Sequence, residues 1–335
     1  MNNLLDEYQA RLNSAVAEAE LQDVINKSNI HNYEFNRKNL KPKILNLNNG
    51  SFIPIQQKLV KITSEVDFLD LSFKTLKATH RSYIKKFLSE KVGKKHFITN
   101  GTDVTVDDQG ELFTKFTIRL HDPSNKKSLY KIIDLLKSQY GSYDFKITCI
   151  ELAHDFRNSP IELLIALFKS IQFDSNVHYI RVFRSKGENK SVPFDPKKLK
   201  DMLLAGFNIG VNDYRKDDVY YHFYFKKTDQ NKAPLPQKDW RLRAEVRLSN
   251  INVDLNDLPS LIKSGFKKLN FTQLDKSSSD AYQKHYSLYV RPYGKRLDLP
   301  VLRNGHYRFL NNSIRAHKDL NERLRESVKN LSNKF

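Results

Sequence analysis

The segment Cys149–Asp155 places two carboxylates where they can act together. If it forms a β-strand, its odd-numbered side chains share one face, so Glu151 and Asp155 point the same way with only the small Ala153 between them. His154 points to the other face. Carboxylate oxygens above an open sheet surface are the ligands that Mg²⁺ or Mn²⁺ prefers. The spacing therefore makes this strand a candidate metal-binding element.

Two later segments alternate in the same way and carry basic and phenolic groups. In Trp240–Leu248 the even positions form an apolar face, and the side chains that face away from it are Arg241, Arg243, Glu245 and Arg247. In Val219–Lys227 the corresponding polar set is Tyr220, His222, Tyr224 and Lys226. Each strand therefore has one face suited to a core and one suited to polar chemistry.

If the three polar faces coincide, they form a site for phosphodiester chemistry. The predicted metal ligands are Glu151, Asp155, Glu245 and His222. A tyrosine could attack phosphorus and hold the nucleic acid covalently, while Lys226 and Arg243 neutralise the developing charge. The candidate nucleophiles are Tyr224, which shares a face with Lys226, and Tyr214, which lies in a basic turn. The alternative is a solvated sheet face on which the same acids and bases pair with one another.

The net charge indicates the class of partner. The 335 residues carry 57 Lys and Arg against 38 Asp and Glu, a formal charge of +19. A polyanion relieves the self-repulsion of such a chain, and nucleic acid phosphates are the usual one. The predicted phosphate contacts are Arg184, Lys186, Arg215, Lys216, Arg315 and Arg323.

Several protein classes are disfavoured by the composition. A single cysteine, Cys149, excludes an intrachain disulfide and a four-thiolate zinc site, and it suits a reducing compartment. The polar residues 1–20 resemble neither a signal peptide nor a basic transit peptide, and no apolar run is long enough for a membrane helix. We therefore expect a cytoplasmic protein with no membrane partner.

The order of predicted elements indicates an α+β fold. Strand and helix patterns alternate between residues 61 and 250, which predicts a largely antiparallel central sheet with helices on one face. Residues 1–60 are expected to form a helical N-terminal segment and a polar connector. Residues 251–335 are expected to form a basic C-terminal region that contacts DNA, with a helix over 312–330.

Five short motifs, in this order, resemble a known family. Val66–Phe73 resembles its opening strand, and Ile150–Asp155 resembles its Arg-Ile-Asp-Leu-Ala-x-Asp strand. The other three are Asn208–Asn212, similar to a Tyr-x-Gly-Ser turn, His222–Lys226, similar to Tyr-x-Lys, and Arg243–Leu248, similar to Arg-x-Glu-x-x-Leu. The family is that of the Rep_trans-type rolling-circle replication initiators, with the related conjugative relaxases and filamentous-phage initiators, which are relatives of the HUH endonucleases.

This resemblance implies a function and a site. Such enzymes nick one strand at an origin through a tyrosine and keep a 5′ phosphotyrosine link. It implies metal binding by Glu151, Asp155 and Glu245, with Lys226 and Arg243 nearby. Some plasmid members carry a tyrosine where this chain has Ala244, so the nucleophile stays open between Tyr214 and Tyr224.

Three hypotheses follow. The first is a metal-dependent DNA nickase that starts rolling-circle replication or transfer. The second is a non-catalytic origin-binding or regulatory protein on the same scaffold, and the third is an RNA-binding module. For the first, the expected partners are origin duplex and single-stranded DNA, with a host helicase and a second copy of the chain as further candidates.

Overall fold

The computed structural model describes residues 43–46, 52–55, 60–92, 96–100, 104–107, 110–171, 180–184, 198–228, 233–274 and 314–335. The predicted helix over 4–25 and the predicted phosphate contact Lys186 lie outside these residues. Within them, no helix is both long enough and apolar enough to cross a bilayer.

Helices and strands alternate through the described residues. The strands are β1 Lys43–Asn46, β2 Phe52–Ile55, β3 Lys61–Thr79, β4 His96–Asn100, β5 Val104–Asp107, β6 Gly110–His121, β7 Tyr143–Arg157, β8 Ile180–Phe183, β9 Asn208–Val211, β10 Val219–Lys226, β11 Arg241–Leu248, β12 Val253–Asp254, β13 Thr272–Leu274 and β14 Ile314–Ala316. The helices are α1 Arg81–Lys91, α2 Lys126–Tyr140, α3 Ile161–Ile171, α4 Leu199–Leu204, α5 Leu258–Phe266 and α6 Lys318–Ser332.

One antiparallel sheet organises the fold. In the described part of the chain it has ten strands in the order β4-β6-β3-β7-β11-β10-β9-β8, with β5 beside β6 and β12 beside β7. The long strands β3 and β7 form its centre, and every pairing is antiparallel. The predicted fold class, a largely antiparallel sheet with helices on one face, is confirmed.

The helices cover the apolar face of the sheet. On α3, four apolar side chains are buried: Leu163, Leu164, Leu167 and Phe168. The Phe168 ring meets the Phe223 ring of β10 at 5.6 Å. Gly265 of helix α5 packs against Leu152 of β7. A Cβ atom at position 265 would lie 2.5 Å from Cδ1 of Leu152, so a side chain there would clash. Burial of these apolar side chains is the main stabilising term of the layer.

Local signals in the sequence set the helix ends. Asn125 caps α2 by accepting a 2.9 Å hydrogen bond from the backbone nitrogen of Ser128, and the Ser128 hydroxyl completes a capping box. Gly141 ends the same helix with φ of 58°, a left-handed conformation that favours glycine. Pro259 stands in the first turn of α5, as predicted from the segment that begins at Asp257.

The C-terminal helix packs on the same body. It begins at Lys318, later than the predicted residue 312, and ends at Ser332. The hydroxyl of Ser327 on α6 lies 2.8 Å from that of Ser64 on β3, which in turn lies 2.9 Å from Nδ1 of His154. His154 therefore faces the helices, as the alternation of β7 predicts.

Candidate active site: an acid and arginine cluster on the helix-free face

Strand register brings the predicted polar side chains together. Arg243 of β11 stands opposite Asp155 of β7, and Arg247 stands opposite Glu151. On the other edge of β11, Glu245 stands opposite His222 of β10. Directly opposed residues of antiparallel strands point to the same face. The three predicted acids therefore lie on one face, the side of the sheet away from the described helices.

Strand β3 adds a fourth acid, Asp67, to the three predicted ones. Glu65 pairs with Ala153 of the polar face, so Asp67, two residues later, lies on that face by the same alternation. Val66 pairs with Leu152 and Phe68 with Glu151, so a β-bulge at Asp67 turns the Phe68 ring onto the polar face as well. One carboxylate oxygen each from Asp67, Glu151 and Glu245 all lie within 4.8 Å of one another. We call this group the acid triad, and its oxygens are close enough together to make it a candidate site for a divalent cation.

Asp155 belongs to a separate, arginine-bound part of the cluster. Its Oδ1 accepts from Nε of Arg243 at 2.6 Å, and its Oδ2 accepts from Nη2 of Arg243 and Nε of Arg241, each at 2.8 Å. Burial raises the pKa of Asp155, but the hydrogen bonds and charge of Arg243 outweigh it and hold the pKa below its usual value. The predicted ligand Asp155 thus serves as an anchor for two arginines.

Arg243 is the central cation of the cluster. Its side chain is fully buried, and besides Asp155 it donates to Asp67 at 3.0 Å and contacts Glu65. Its Nη1 also lies 3.8 Å from Oε1 of Glu245. Burial opposes the charge, yet the hydrogen bonds to Asp155 keep the pKa of Arg243 well above its ordinary value. A planar guanidinium suits this many carboxylates because its donors fan out in a fixed fork.

His222 supports Glu245 through both of its ring nitrogens. Nδ1 lies 2.8 Å from Oε2 of Glu245, and Nε2 lies 3.2 Å from Oδ1 of Asn208. The Asn208 amide nitrogen donates to the carbonyls of Phe183 and Arg184, so its oxygen faces the histidine and Nε2 must carry a proton. Because both ring nitrogens form hydrogen bonds, His222 orients Glu245. It is not a member of the acid triad, which consists of three carboxylates.

The two candidate tyrosines lie in different surroundings. The hydroxyl of Tyr224 donates to Oε1 of Glu245 at 2.7 Å, and burial together with the charge of Glu245 raises its pKa well above the ordinary value. Tyr214 is 37% exposed in the turn between β9 and β10, and its phenol oxygen accepts from Nε of Arg215 at 2.5 Å. Tyr224 is thus placed at the acid triad, whereas Tyr214 is placed where a phosphodiester can reach it.

Arg247 joins the acid triad to a row of aromatic rings. It donates to Oε2 of Glu151 from Nε at 2.8 Å, and its Nη2 lies 2.7 Å from the same oxygen. Its guanidinium carbon lies 5.9 Å from the ring centre of Tyr214, 5.7 Å from that of Tyr220 and 5.0 Å from that of Phe68. Arg119 covers the same Phe68 ring at 3.9 Å. Alternating arginines and aromatic rings therefore run from Tyr214 across the sheet to β6.

The remaining predicted site residues lie at varied distances from this cluster. Lys226 is on β10 opposite Arg241, where burial and the charge of Arg243 lower its pKa. Arg184 lies over the Phe207 ring at 5.0 Å, next to Asn208. Arg215 and Lys216 are exposed in the turn that carries Tyr214.

The two C-terminal residues predicted to contact phosphate, Arg315 and Arg323, lie apart from the cluster. Arg323 of α6 donates to the carbonyl of Val60, and burial lowers its pKa. It therefore anchors α6 on the helix-covered side of the sheet, opposite the acids. The backbone of Arg315 pairs with Gln273 in the two-stranded β13–β14 ribbon.

Sequence reasoning missed Glu65, Asp67, Arg241 and Arg247 as members of the site. Both arginines appeared in the polar set of β11, so their alternation carried the signal. Glu65 and Asp67 are two residues apart and so share one face of β3, but only the pairing of β3 with β7 places Asp67 beside Glu151.

The cluster and sheet define an α+β protein with a buried acid and arginine site on the open face. No protein-family model matches the chain, and no curated protein matches it. Among solved structures, the fold is similar to that of a rolling circle replication initiator protein from Geobacillus stearothermophilus. That match covers 76% of this chain and 97% of the other at 13% identity, with a TM-score of 0.35.

Proposed function

We propose that this chain is a replication initiator that binds an origin and nicks one DNA strand through a tyrosine. The observation that carries the proposal is the acid triad, Asp67, Glu151 and Glu245, on the same sheet face as a tyrosine, a lysine and three arginines. The order of motifs in the sequence supports it. These groups supply the ligands, nucleophile and positive charge that strand cleavage requires.

The acid triad suits Mg²⁺ or Mn²⁺. Each carboxylate has two oxygens and several lone pairs, so Glu245 can keep its bonds to Tyr224 and His222 and still offer an electron pair. A divalent cation held there would polarise the scissile phosphate. The ligand set proposed here replaces Asp155 and His222 of the sequence prediction with Asp67.

Tyr214 is the proposed nucleophile. Its phenol oxygen would attack phosphorus, forming a phosphotyrosine ester with the 5′ phosphate, while the bond to the 3′ oxygen breaks. The phenol proton passes to solvent, and the departing 3′ oxygen takes up a proton from solvent to become a hydroxyl. Tyr214 is exposed and contacts Arg215, whereas Tyr224 is partly buried and donates to Glu245. The arginines and rings beside Tyr214 suit a single strand, whose bases stack on aromatic faces.

A second candidate function is origin binding without cleavage. The observation that favours it is the charge balance of the cluster, in which Arg243 already contacts Asp67 and Asp155 while Arg247 contacts Glu151. Acids that are neutralised by arginines have less need of a cation. The two functions differ in whether DNA is cut.

The test is a nicking assay on supercoiled plasmid that carries the DNA flanking this chain's own gene, with Mg²⁺ or Mn²⁺. The proposal expects nicked circles and a covalent DNA–protein adduct, and peptide mass spectrometry of the adduct should identify Tyr214. Asp67→Asn, Glu151→Gln and Glu245→Gln should each reduce nicking about 100-fold or more, because mutation of groups that merely support a metal ligand costs 10–100-fold. Non-specific DNA binding should change little.

Asp70→Asn is the matched control for these variants. Asp70 lies on β3 like Asp67, but it forms a bidentate ion pair with Arg119 and is not a member of the acid triad. It should keep wild-type nicking. Salt-sensitive binding with no adduct under any metal would support the non-catalytic function, and retained cleavage in all three acid variants would remove the proposed metal site.

A further inference from the structure

Helices α1 and α2 present a concentrated positive surface on the side of the sheet opposite the acid triad. Across their spans they carry eight lysine and arginine residues and two acidic ones. Helix α6 is less basic by comparison, with four basic residues against three acidic ones. Two helices thus hold a large share of the net charge of +19.

The two helices lie side by side, so their charges form one surface. Helix α1 packs on β6 and α2 on the neighbouring strand β3. The ring of Phe87 on α1 meets that of Tyr140 on α2 edge to face at 5.6 Å. The buried side of α1 contains Ile84 and Leu88, which turns its charged residues outward. We call the exposed face of α1 and α2 the basic helix face.

Among the described residues, no carboxylate neutralises the central lysines of the basic helix face. In the described part of the chain, Lys85 and Lys86 of α1 and Lys127 and Lys131 of α2 are exposed and form no ion pair with a carboxylate. Glu90 and Asp134, the acids of these two helices, form none there either. Unpaired like charges on adjacent helices repel each other, and a polyanion removes that cost.

We propose that the basic helix face is a second nucleic-acid surface, which binds the phosphate backbone of double-stranded DNA independently of the acid triad. Helices of 11 and 15 residues are roughly 16 and 22 Å long, and duplex DNA carries one charge per ≈ 1.7 Å. Tyr83 adds an exposed hydroxyl among the lysines. A rigid row of lysines recognises backbone without reading bases.

An anionic membrane is the less suitable partner. Interfacial helices insert large apolar side chains between lipid headgroups. The aliphatic side chains Ile84, Leu88, Ile132 and Leu136 of α1 and α2 are instead buried against the sheet. The exposed face combines its charge with the Tyr83 ring, and it offers no row of apolar side chains of the kind that an interfacial helix inserts.

The test compares two variants of the full chain with equal loss of charge. The patch variant carries Lys85→Gln, Lys86→Gln, Lys127→Gln and Lys131→Gln. The control variant carries Lys263→Gln, Lys267→Gln, Lys318→Gln and Lys329→Gln. These four exposed lysines lie on α5, directly after it and on α6, and they also lack ion pairs among the described residues. All eight positions are exposed, so folding is expected to persist and is checked by circular dichroism.

The readout is the salt dependence of binding to a random-sequence duplex of about 30 base pairs. Each lysine that contacts a phosphate adds about 0.9 to the slope of log affinity against log salt, so the patch variant should lose about 3 to 4 from that slope. Between about 50 and 200 mM salt this equals a roughly 100-fold smaller loss of affinity than in the wild type. The control variant should keep a nearly wild-type slope.

Equal slope losses in the two variants would overturn the proposal, because net charge alone would then explain binding. It would also be overturned if the patch variant kept its duplex binding but lost binding to phosphatidylserine vesicles. Cleavage of a short single-stranded oligonucleotide reports on the acid triad separately. A protein that never cleaves but shows the slope difference would overturn the proposed nickase and support the duplex surface.

Discussion

Replacing Arg243 by methionine removes a fully buried cation that contacts Asp155, Asp67 and Glu65 at once. Removing one partner of a buried ion pair leaves the other charge without compensation, which costs about 3–5 kcal/mol. Because three carboxylates lose a partner, we expect the free energy of unfolding at pH 7 to fall by at least that range. Urea denaturation followed by circular dichroism measures it.

Arg119→Met provides the matched comparison. Arg119 binds both oxygens of Asp70 at 2.7 Å, the same two-pronged geometry, but a third of its side chain is exposed. Exposed pairs contribute about 0–1 kcal/mol, and the contact with the Phe68 ring adds about 0.5–1 kcal/mol. The expected cost is therefore about 1–2 kcal/mol. Equal costs for Arg243→Met and Arg119→Met would refute the reasoning that burial makes the first pair strong.

The pH dependence of the Arg243→Met effect gives a second check with a defined sign. In the wild type the pKa of Asp155 is lowered, so its stabilising contribution is present above the ordinary carboxyl pKa and is lost as the pH falls below it. Without Arg243, only Arg241 and Lys226 oppose the effect of burial, so the pKa of Asp155 should be higher and the charged carboxylate should stabilise the folded state less. The difference between variant and wild type should thus shrink by about 1 kcal/mol or more from pH 7 to pH 4. A difference that grows on acidification would contradict this.

Two buried groups away from the cluster lead to further predictions. Burial lowers the pKa of His154 from its ordinary value of 6.5 to about 3. At a pH between these two values, His154 binds a proton only in the unfolded chain. As the pH is lowered through this window, the free energy of unfolding should decrease by about 1.4 kcal/mol per pH unit because of this residue. In urea denaturation, His154→Gln should make the free energy of unfolding less dependent on pH. Burial raises the pKa of the Cys149 thiol to about 11, so labelling by a thiol reagent at pH 8 should follow unfolding; rapid labelling of the folded protein would contradict it.

The sequence by itself determined the elements and the faces of the strands. Alternation in β7, β10 and β11 separated apolar from polar side chains correctly, because residues i and i+2 of a strand must lie on one face. Helix α2 ended where Gly141 predicts, because only a residue that tolerates positive φ closes the last turn in this way. These features depend on neighbours within a few residues.

Only the tertiary structure decided which polar groups meet. Asp67 lies beside Glu151 because of the register between β3 and β7, and no local spacing in the sequence encodes that register. Likewise, Asp155 and Glu151 look equivalent in the sequence, yet the register of β11 gives Arg243 to the first and Arg247 to the second. Strand pairing between distant segments, which depends on the packing of the whole sheet, thus separates a buried anchor from a candidate metal ligand.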